Sequence, residues 1–86
     1  MGEILITFEK QSAAFALMRA LDRERMRAKI VQTPAHISAG GCSYGVTTKR
    51  SNLSKIIALC RRYNINYRRI FSIYTYENGQ KEYSQI

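Results

Sequence analysis

The stretch Glu3-Ile4-Leu5-Ile6-Thr7-Phe8 decides the fold, because its apolar side chains alternate along the chain. Ile4, Ile6 and Phe8 form one set at a period of two, which predicts a β-strand with that set facing a core. We interpret the stretch as a short central strand, around which the other elements are placed.

Two amphipathic helices are predicted from apolar residues at the spacing i, i+3, i+4 and i+7. The first covers residues 11–25, and its stripe consists of Ala14, Leu17, Met18 and Leu21. The second follows Asn52, and its stripe consists of Leu53, Ile56, Ile57 and Cys60. Ser12 is the expected N-cap of the first helix, and Ser51 or Asn52 that of the second. Cys60 is therefore predicted to be a core residue.

Three further strands are predicted over residues 29–33, 43–49 and 68–76. Pro34 ends the second strand because proline supplies no donor to a sheet. After the fourth strand, Asn78-Gly79 predicts a type I′ turn with positive φ at both residues, and a last short strand follows it.

The order of elements is strand, helix, strand, strand, helix, strand, which is the ferredoxin-like βαββαβ pattern. The predicted fold class is α+β, with an antiparallel sheet and a C-terminal β-hairpin extension. Residues 1–76 form one domain, and residues 77–86 form a turn and terminal strand packed on it. Leu5, Ile70, Tyr74 and Tyr76 are assigned by alternation to the sheet face without helices. That face either forms a homodimer or carries scattered exposed aromatics.

The composition is that of an ordinary soluble domain, with 86 residues, 45% of them hydrophobic and 23% charged. No apolar run reaches the roughly 20 residues that cross a bilayer. Met1-Gly2-Glu3 leads directly into the first strand, so neither a signal peptide nor a membrane partner is expected, and the cytoplasm is the expected compartment.

The charge is strongly positive, with a formal net charge of +8. Such a charge raises affinity for polyanions, so nucleic acid and acidic proteins are both carried as partners. Exposed cations on the two helices form the candidate partner or polyanion surface: Arg19, Arg23, Lys55 and Arg62. The third strand lacks the basic and aromatic motif of RNA-recognition domains. A solvated basic surface without a partner is the alternative.

The two cysteines, Cys42 and Cys60, are expected to be thiols in a reducing compartment. Their spacing and the single His36 match no metal pattern, so no metal and no cofactor are expected. With one histidine and only Asp22 as aspartate, no nucleophile-base-acid set of a hydrolase can be assembled.

Cys42 is the residue best placed for chemistry, at the end of Thr33-Pro34-Ala35-His36-Ile37-Ser38-Ala39-Gly40-Gly41-Cys42. Gly40 and Gly41 keep bulk away from the sulfur and permit positive φ. His36 is a candidate to polarise the thiol, although a lone loop histidine is more often simply exposed. The alternative is a glycine turn that ends in a small hydrophobic residue.

Several of these segments together resemble a known family. They are Ile4–Phe8, the Thr33-Pro34 pair, the Ile37-Ser38 to Cys42 loop, the helix from Leu53 to Tyr63 and the strand Ile70-Phe71-Ser72-Ile73. The chain resembles the short bacterial and archaeal proteins called putative Se/S carrier-like over roughly residues 3–73. One departure is that Ser43-Tyr44 stands where many members have glycine after the cysteine.

The resemblance implies a carrier rather than a turnover enzyme. Cys42 would hold sulfur or selenium as a persulfide or selenosulfide between donor and acceptor proteins. Ser38, Gly40 and Gly41 would shape the loop around it. The competing hypothesis is a basic nucleic-acid or acidic-partner binding module.

Overall fold

The structure, a computed structural model, describes residues 2–37 and 44–86. Its elements are β1 (Glu3–Phe8), α1 (Gln11–Arg23), β2 (Ala28–Gln32), β3 (Tyr44–Lys49), α2 (Leu53–Arg62), β4 (Arg69–Thr75) and β5 (Lys81–Gln85). Short 3-10 turns cover Ala35–Ile37 and Arg50–Asn52. Within the described ranges, no helix has the length and apolar character needed to span a membrane.

The strands form one five-stranded antiparallel sheet in the order β2-β3-β1-β4-β5. β1 is the middle strand, as predicted. It pairs with β3, where Phe8 lies opposite Tyr44, and with β4, where Leu5 lies opposite Phe71. The fold is therefore α+β, with two helices added to an antiparallel sheet.

The main core lies between the sheet and the two helices. Ile4, Ile6 and Phe8 of β1 are fully buried there, as the alternation predicts. The helices contribute the apolar stripes read from the sequence, and Cys60 is confirmed as a core residue at 3% exposure. Burial of this kind stabilises the fold by about 1.5–3 kcal/mol for each large aliphatic side chain.

The opposite face of the sheet carries a second buried cluster. Leu5, Phe71 and Ile73 form it, and Val31, Ile37 and Tyr83 pack against it. The assignment of Ile70 to this face was wrong, because Ile70 lies opposite Ile6 and packs in the main core. Alternation along β4 then places Tyr74 on the same side as Ile70, so its assignment was wrong as well.

Neither helix begins with the predicted side-chain cap. Ser12 lies inside α1, whose N-cap is Lys10, and no side chain caps its first turn. Asn52 is the N-cap of α2 but also makes no capping bond. Its amide Nδ2 instead donates to Thr48 Oγ1 at 3.0 Å, and that hydroxyl donates to the Arg27 carbonyl at 2.7 Å. The Asn52 side chain therefore ties the start of α2 to the sheet.

Positive φ occurs at the connections that follow α2 and β4. Asn64 has φ 55 just after α2, where a left-handed residue ends the helix. The type I′ turn was wrong, because Gly79 takes φ 89 whereas Asn78 does not have positive φ. The Gly79 amide donates to the Tyr76 carbonyl at 2.9 Å, and Asn78 Oδ1 accepts from the Gln80 amide at 3.0 Å. A turn with one left-handed glycine makes the connection.

Gly45 is required by a close approach in the sheet. A Cβ at this position would lie 2.6 Å from Leu5 Cδ1 and 3.1 Å from the Ile6 carbonyl oxygen. Carbon atoms do not approach buried neighbours so closely without displacing them. Gly45 therefore leaves space for the Leu5 side chain, which belongs to the second cluster.

Gly45→Ala is expected to lower the free energy of unfolding by about 1–3 kcal/mol through overpacking. Gly2→Ala is the matched control, because its Cβ would meet only Arg50 side-chain atoms at 3.5 and 3.6 Å. Urea denaturation followed by circular dichroism measures both. Equal stability of the two variants would contradict the close packing at Gly45.

Candidate functional site

The described residues on either side of the predicted reactive segment locate it in the fold. Cys42, Ser38, Gly40 and Gly41 lie outside the described residues. The preceding 3-10 turn ends at Ile37, and β3 begins at Tyr44. The predicted reactive segment therefore connects the 3-10 turn after β2 to the start of β3, at one end of the sheet.

That region is the loop edge, which we define by Phe8, Gln32, Tyr44 and Arg69. Tyr44 pairs with both Gln32 and Phe8, and Thr7 next to Phe8 pairs with Arg69. β1 and β2 end at this edge, whereas β3 and β4 begin there. The opposite end is the far edge, defined by Glu3, Ala28, Lys49 and Thr75.

Thr33 provides an unpaired hydroxyl at the loop edge. The residue is 8% exposed, and its Oγ1 has no hydrogen-bond partner in the described part of the chain. It lies 3.3 Å from the position of a Cβ on Gly45. A buried hydroxyl without a partner destabilises a fold by about 1–3 kcal/mol, so this group is unusual.

His36 is exposed and lies on the 3-10 turn before the loop. Its ring centroid is 5.8 Å from that of Tyr83 on β5, with the planes tilted by 60°. The structure therefore shows an aromatic contact for His36. Its action on Cys42 stays a prediction, because that cysteine lies outside the described ranges.

Cys60 is unsuited to thiol chemistry. It is buried in α2, and burial raises the pKa of the Cys60 thiol above its ordinary value. A raised pKa keeps sulfur in the protonated form, which is a poor nucleophile. Among residues 2–37 and 44–86, no group of three or more His, Cys, Asp or Glu residues could hold a metal ion.

The next cations in sequence after the loop lie at the far end of β3. Lys49 ends β3, and Arg50 comes directly after it. Five residues of strand rise put Lys49 about 17 Å from Tyr44. Lys10 and Arg68 lie at the loop edge instead, since Lys10 follows β1 and the Arg68 amide donates to the Thr7 carbonyl at 2.7 Å.

The candidate partner surface is exposed but dispersed. Arg19 and Arg23 lie on α1, while Lys55 and Arg62 lie at opposite ends of α2. The Arg62 guanidinium lies 5.6 Å from the centroid of the Tyr63 ring.

A tighter group of cations lies at the far edge, and sequence reasoning did not single it out. Arg25, Arg27 and Lys49 line one cavity of about 370 Å³ together with Ser51 and Asn52. The signal was present in the alternating run from Arg23 to Arg27. The strand pairing that adds Lys49 was not visible before the sheet was known.

The comparisons with known proteins give one match. No curated protein and no solved structure is similar enough to the chain to count as a match. The family described as putative Se/S carrier protein-like matches residues 3–72, which run from the start of β1 into β4 and include Cys42. By this match over most of its length, the chain belongs to the putative Se/S carrier protein-like family.

Proposed function

We propose that the protein is a carrier that holds sulfur or selenium on Cys42 and passes it between a donor and an acceptor protein. The observation that carries the proposal is the family match over residues 3–72, which contains Cys42. The role is transfer between protein partners, without turnover of a substrate by this chain alone.

The burial of the other cysteine, Cys60, supports the choice of Cys42 as the carrier residue. Cys60 is 3% exposed, and its pKa is raised by burial. Thiol transfer needs an accessible sulfur that reaches the thiolate form. With two cysteines in the chain, transfer chemistry therefore falls to Cys42.

The transfer step needs no external oxidant. The Cys42 thiolate attacks the outer sulfur of a donor persulfide, a new S–S bond forms at Cys42, and the donor S–S bond breaks. The donor sulfur leaves as a thiolate, and the outer sulfur keeps its charge or proton on the carrier. In the second half, an acceptor thiolate attacks that outer sulfur and releases the Cys42 thiolate. The corresponding exchange with selenium gives a selenosulfide.

The loop residues have supporting roles in the proposal. Ser38, Gly40 and Gly41 shape the approach to the sulfur, and His36 helps to polarise it. The unpaired Thr33 hydroxyl at the start of the connection adds a hydrogen-bond donor at the loop edge.

We infer that the scaffold is a ferredoxin-like domain with a C-terminal hairpin extension. The order β2-β3-β1-β4 and the placement of both helices over one face support this inference. Antiparallel pairing of Thr75 with Lys81 supports the extension. Tyr83 of β5 packs on the second cluster, which supports assigning residues 77–86 to the same domain as residues 1–76. The proposal also includes a homodimer and a cytoplasmic location. A particle mass that rises with protein concentration would indicate the homodimer.

Sulfur loading is the direct experiment. The reduced protein is incubated with a low-molecular-weight persulfide, freed of donor and digested. We expect the Cys42 peptide to gain the mass of one sulfur atom and to lose it on reduction, whereas the Cys60 peptide stays unmodified. A native protein that takes up no sulfur at Cys42 would contradict the carrier function.

A second candidate function is polyanion binding at the far edge, supported by Arg25, Arg27 and Lys49 around one cavity. The double variant Arg25→Gln/Arg27→Gln is expected to weaken binding of a short duplex RNA. The slope of the logarithm of the binding constant against the logarithm of the salt concentration should become about 2 units less negative if both residues contact phosphates. Arg19→Gln/Arg61→Gln removes the same charge from the two helices, where the dispersed candidate surface lies, and is the comparison for a localised site. Equal slopes for the two double variants would rule out a localised site.

A further inference from the structure

A cavity of about 520 Å³ opens at the loop edge, between the start of α1 and the segment of residues 63–68. We call it the tyrosine cavity and define it by Lys10, Tyr63, Asn64, Asn66, Tyr67 and Arg68, which line it. Its volume falls within the roughly 300–1,000 Å³ of small-molecule sites. The family match assigns it no role.

The outer wall of the tyrosine cavity is held by the fold at several points. Ile65 is 8% exposed, and its amide donates to the Cys60 carbonyl at 2.8 Å. Asn64 turns the chain with φ 55, and the Arg68 amide donates to the Thr7 carbonyl at 2.7 Å. The segment is thus fixed to the core and to β1, so the cavity is preformed.

Its lining combines three kinds of recognition group. Tyr63 and Tyr67 keep 42% and 38% of their surfaces exposed, which leaves aromatic surface available for stacking. Asn64 and Asn66 supply amides that both donate and accept hydrogen bonds. Lys10 and Arg68 supply positive charge against the single lining acid, Glu9.

This combination distinguishes among anionic ligands. Cations alone would suit inorganic phosphate or an acidic peptide equally well. Aromatic rings stack on bases of any sequence, and amide groups recognise base edges. A ligand that joins a flat heterocycle to a phosphate uses all three groups within one cavity of this size.

We propose that the tyrosine cavity binds a nucleotide, with the base stacked on Tyr67 and the phosphate near Lys10 and Arg68. The proposal is independent of thiol chemistry and goes beyond the carrier function. The nucleotide comes either as a free mononucleotide or as one unit of a single strand.

The test uses the full chain, with uridine and adenosine monophosphates and a short single-stranded oligouridine as probes. Calorimetry gives the affinities, and amide NMR locates the site. We expect shifts at Lys10 and residues 63–68. Tyr67→Ala should weaken binding about 5- to 150-fold, and Arg68→Gln should weaken it while leaving the stacking residue intact. Tyr74→Ala is the matched control, since Tyr74 is 60% exposed on β4 and lies outside the cavity.

The outcomes separate the sources and the alternatives. Tight mononucleotide binding identifies a free nucleotide, whereas binding of the strand alone identifies a single-stranded nucleic acid. Inorganic phosphate binding as tightly as the monophosphates would overturn the proposal, because it would show a charge-only site. The absence of binding by natively folded protein, or equal losses in Tyr67→Ala and Tyr74→Ala, would also overturn it. Sulfur loading in Tyr67→Ala is expected to stay unchanged, so failure here is distinct from failure of the carrier function.

Discussion

Cys42→Ser is expected to abolish sulfur loading completely, because serine oxygen does not form a persulfide with the donor's outer sulfur. Cys60 does not substitute for it, since Cys60 is 3% exposed and burial raises its pKa. Mass spectrometry of the intact protein after incubation with a persulfide measures the effect. Retained loading on natively folded Cys42→Ser would place the carrier atom elsewhere.

Cys60→Ala is the matched control for the thiol experiment. It is expected to load sulfur like the wild type but to lose about 1–3 kcal/mol of unfolding free energy, as buried truncations do. The two variants thus separate chemistry from stability. Loss of loading in Cys60→Ala with a native circular dichroism spectrum would contradict this division.

Leu5→Ala is expected to lower the free energy of unfolding by about 2–5 kcal/mol. Leu5 is fully buried on the sheet face without helices, where it packs with Phe71 and Ile73. If that face were open to solvent, truncation would cost almost nothing. Chemical denaturation of the purified variant gives the difference directly.

Tyr74→Ala is the control on the same sheet, because its side chain is 60% exposed. We expect its unfolding free energy to lie within about 0.5 kcal/mol of wild type. If Leu5→Ala were as mild as Tyr74→Ala, the second buried cluster would not contribute to stability.

Local periodicity explains which parts of the fold were predictable. The alternation in Glu3–Phe8 and the helical spacing that ends at Cys60 depend on neighbours in sequence, and the structure has both elements. The face of Ile70 depends on its pairing with Ile6, which is a property of the register between distant strands. Alternation within one strand does not supply that register.

Competition among polar groups explains the wrong details of caps and turns. Asn52 was a good N-cap by residue type, but its amide hydrogen-bonds Thr48 in the adjacent strand. Asn78 was suited to positive φ, but its side chain accepts the Gln80 amide and Gly79 takes the left-handed conformation. Each choice depends on tertiary geometry that the dipeptide does not determine.

In the candidate site, too, the features set by neighbours in sequence were predictable and those set by tertiary geometry were not. Cys42 stood out because two glycines precede it, and the core position of Cys60 followed from helical spacing. The tyrosine cavity was not predicted from the sequence, because Lys10 and Tyr67 are far apart along the chain. They line one cavity only because β1 and β4 pair. Sequence reasoning therefore favoured contiguous motifs and missed a site assembled from two connections.

The most direct measurement for the carrier function is the alkylation rate of Cys42 and Cys60, read separately by peptide mass spectrometry on native reduced protein. The account predicts rapid reaction of Cys42 near neutral pH. It predicts slow reaction of Cys60 that appears only at higher pH, since burial raises the pKa of the Cys60 thiol above its ordinary value. In denaturant the two rates should converge. Equal protection of Cys42 and Cys60 in the native protein would contradict the assignment of Cys42 as the carrier residue.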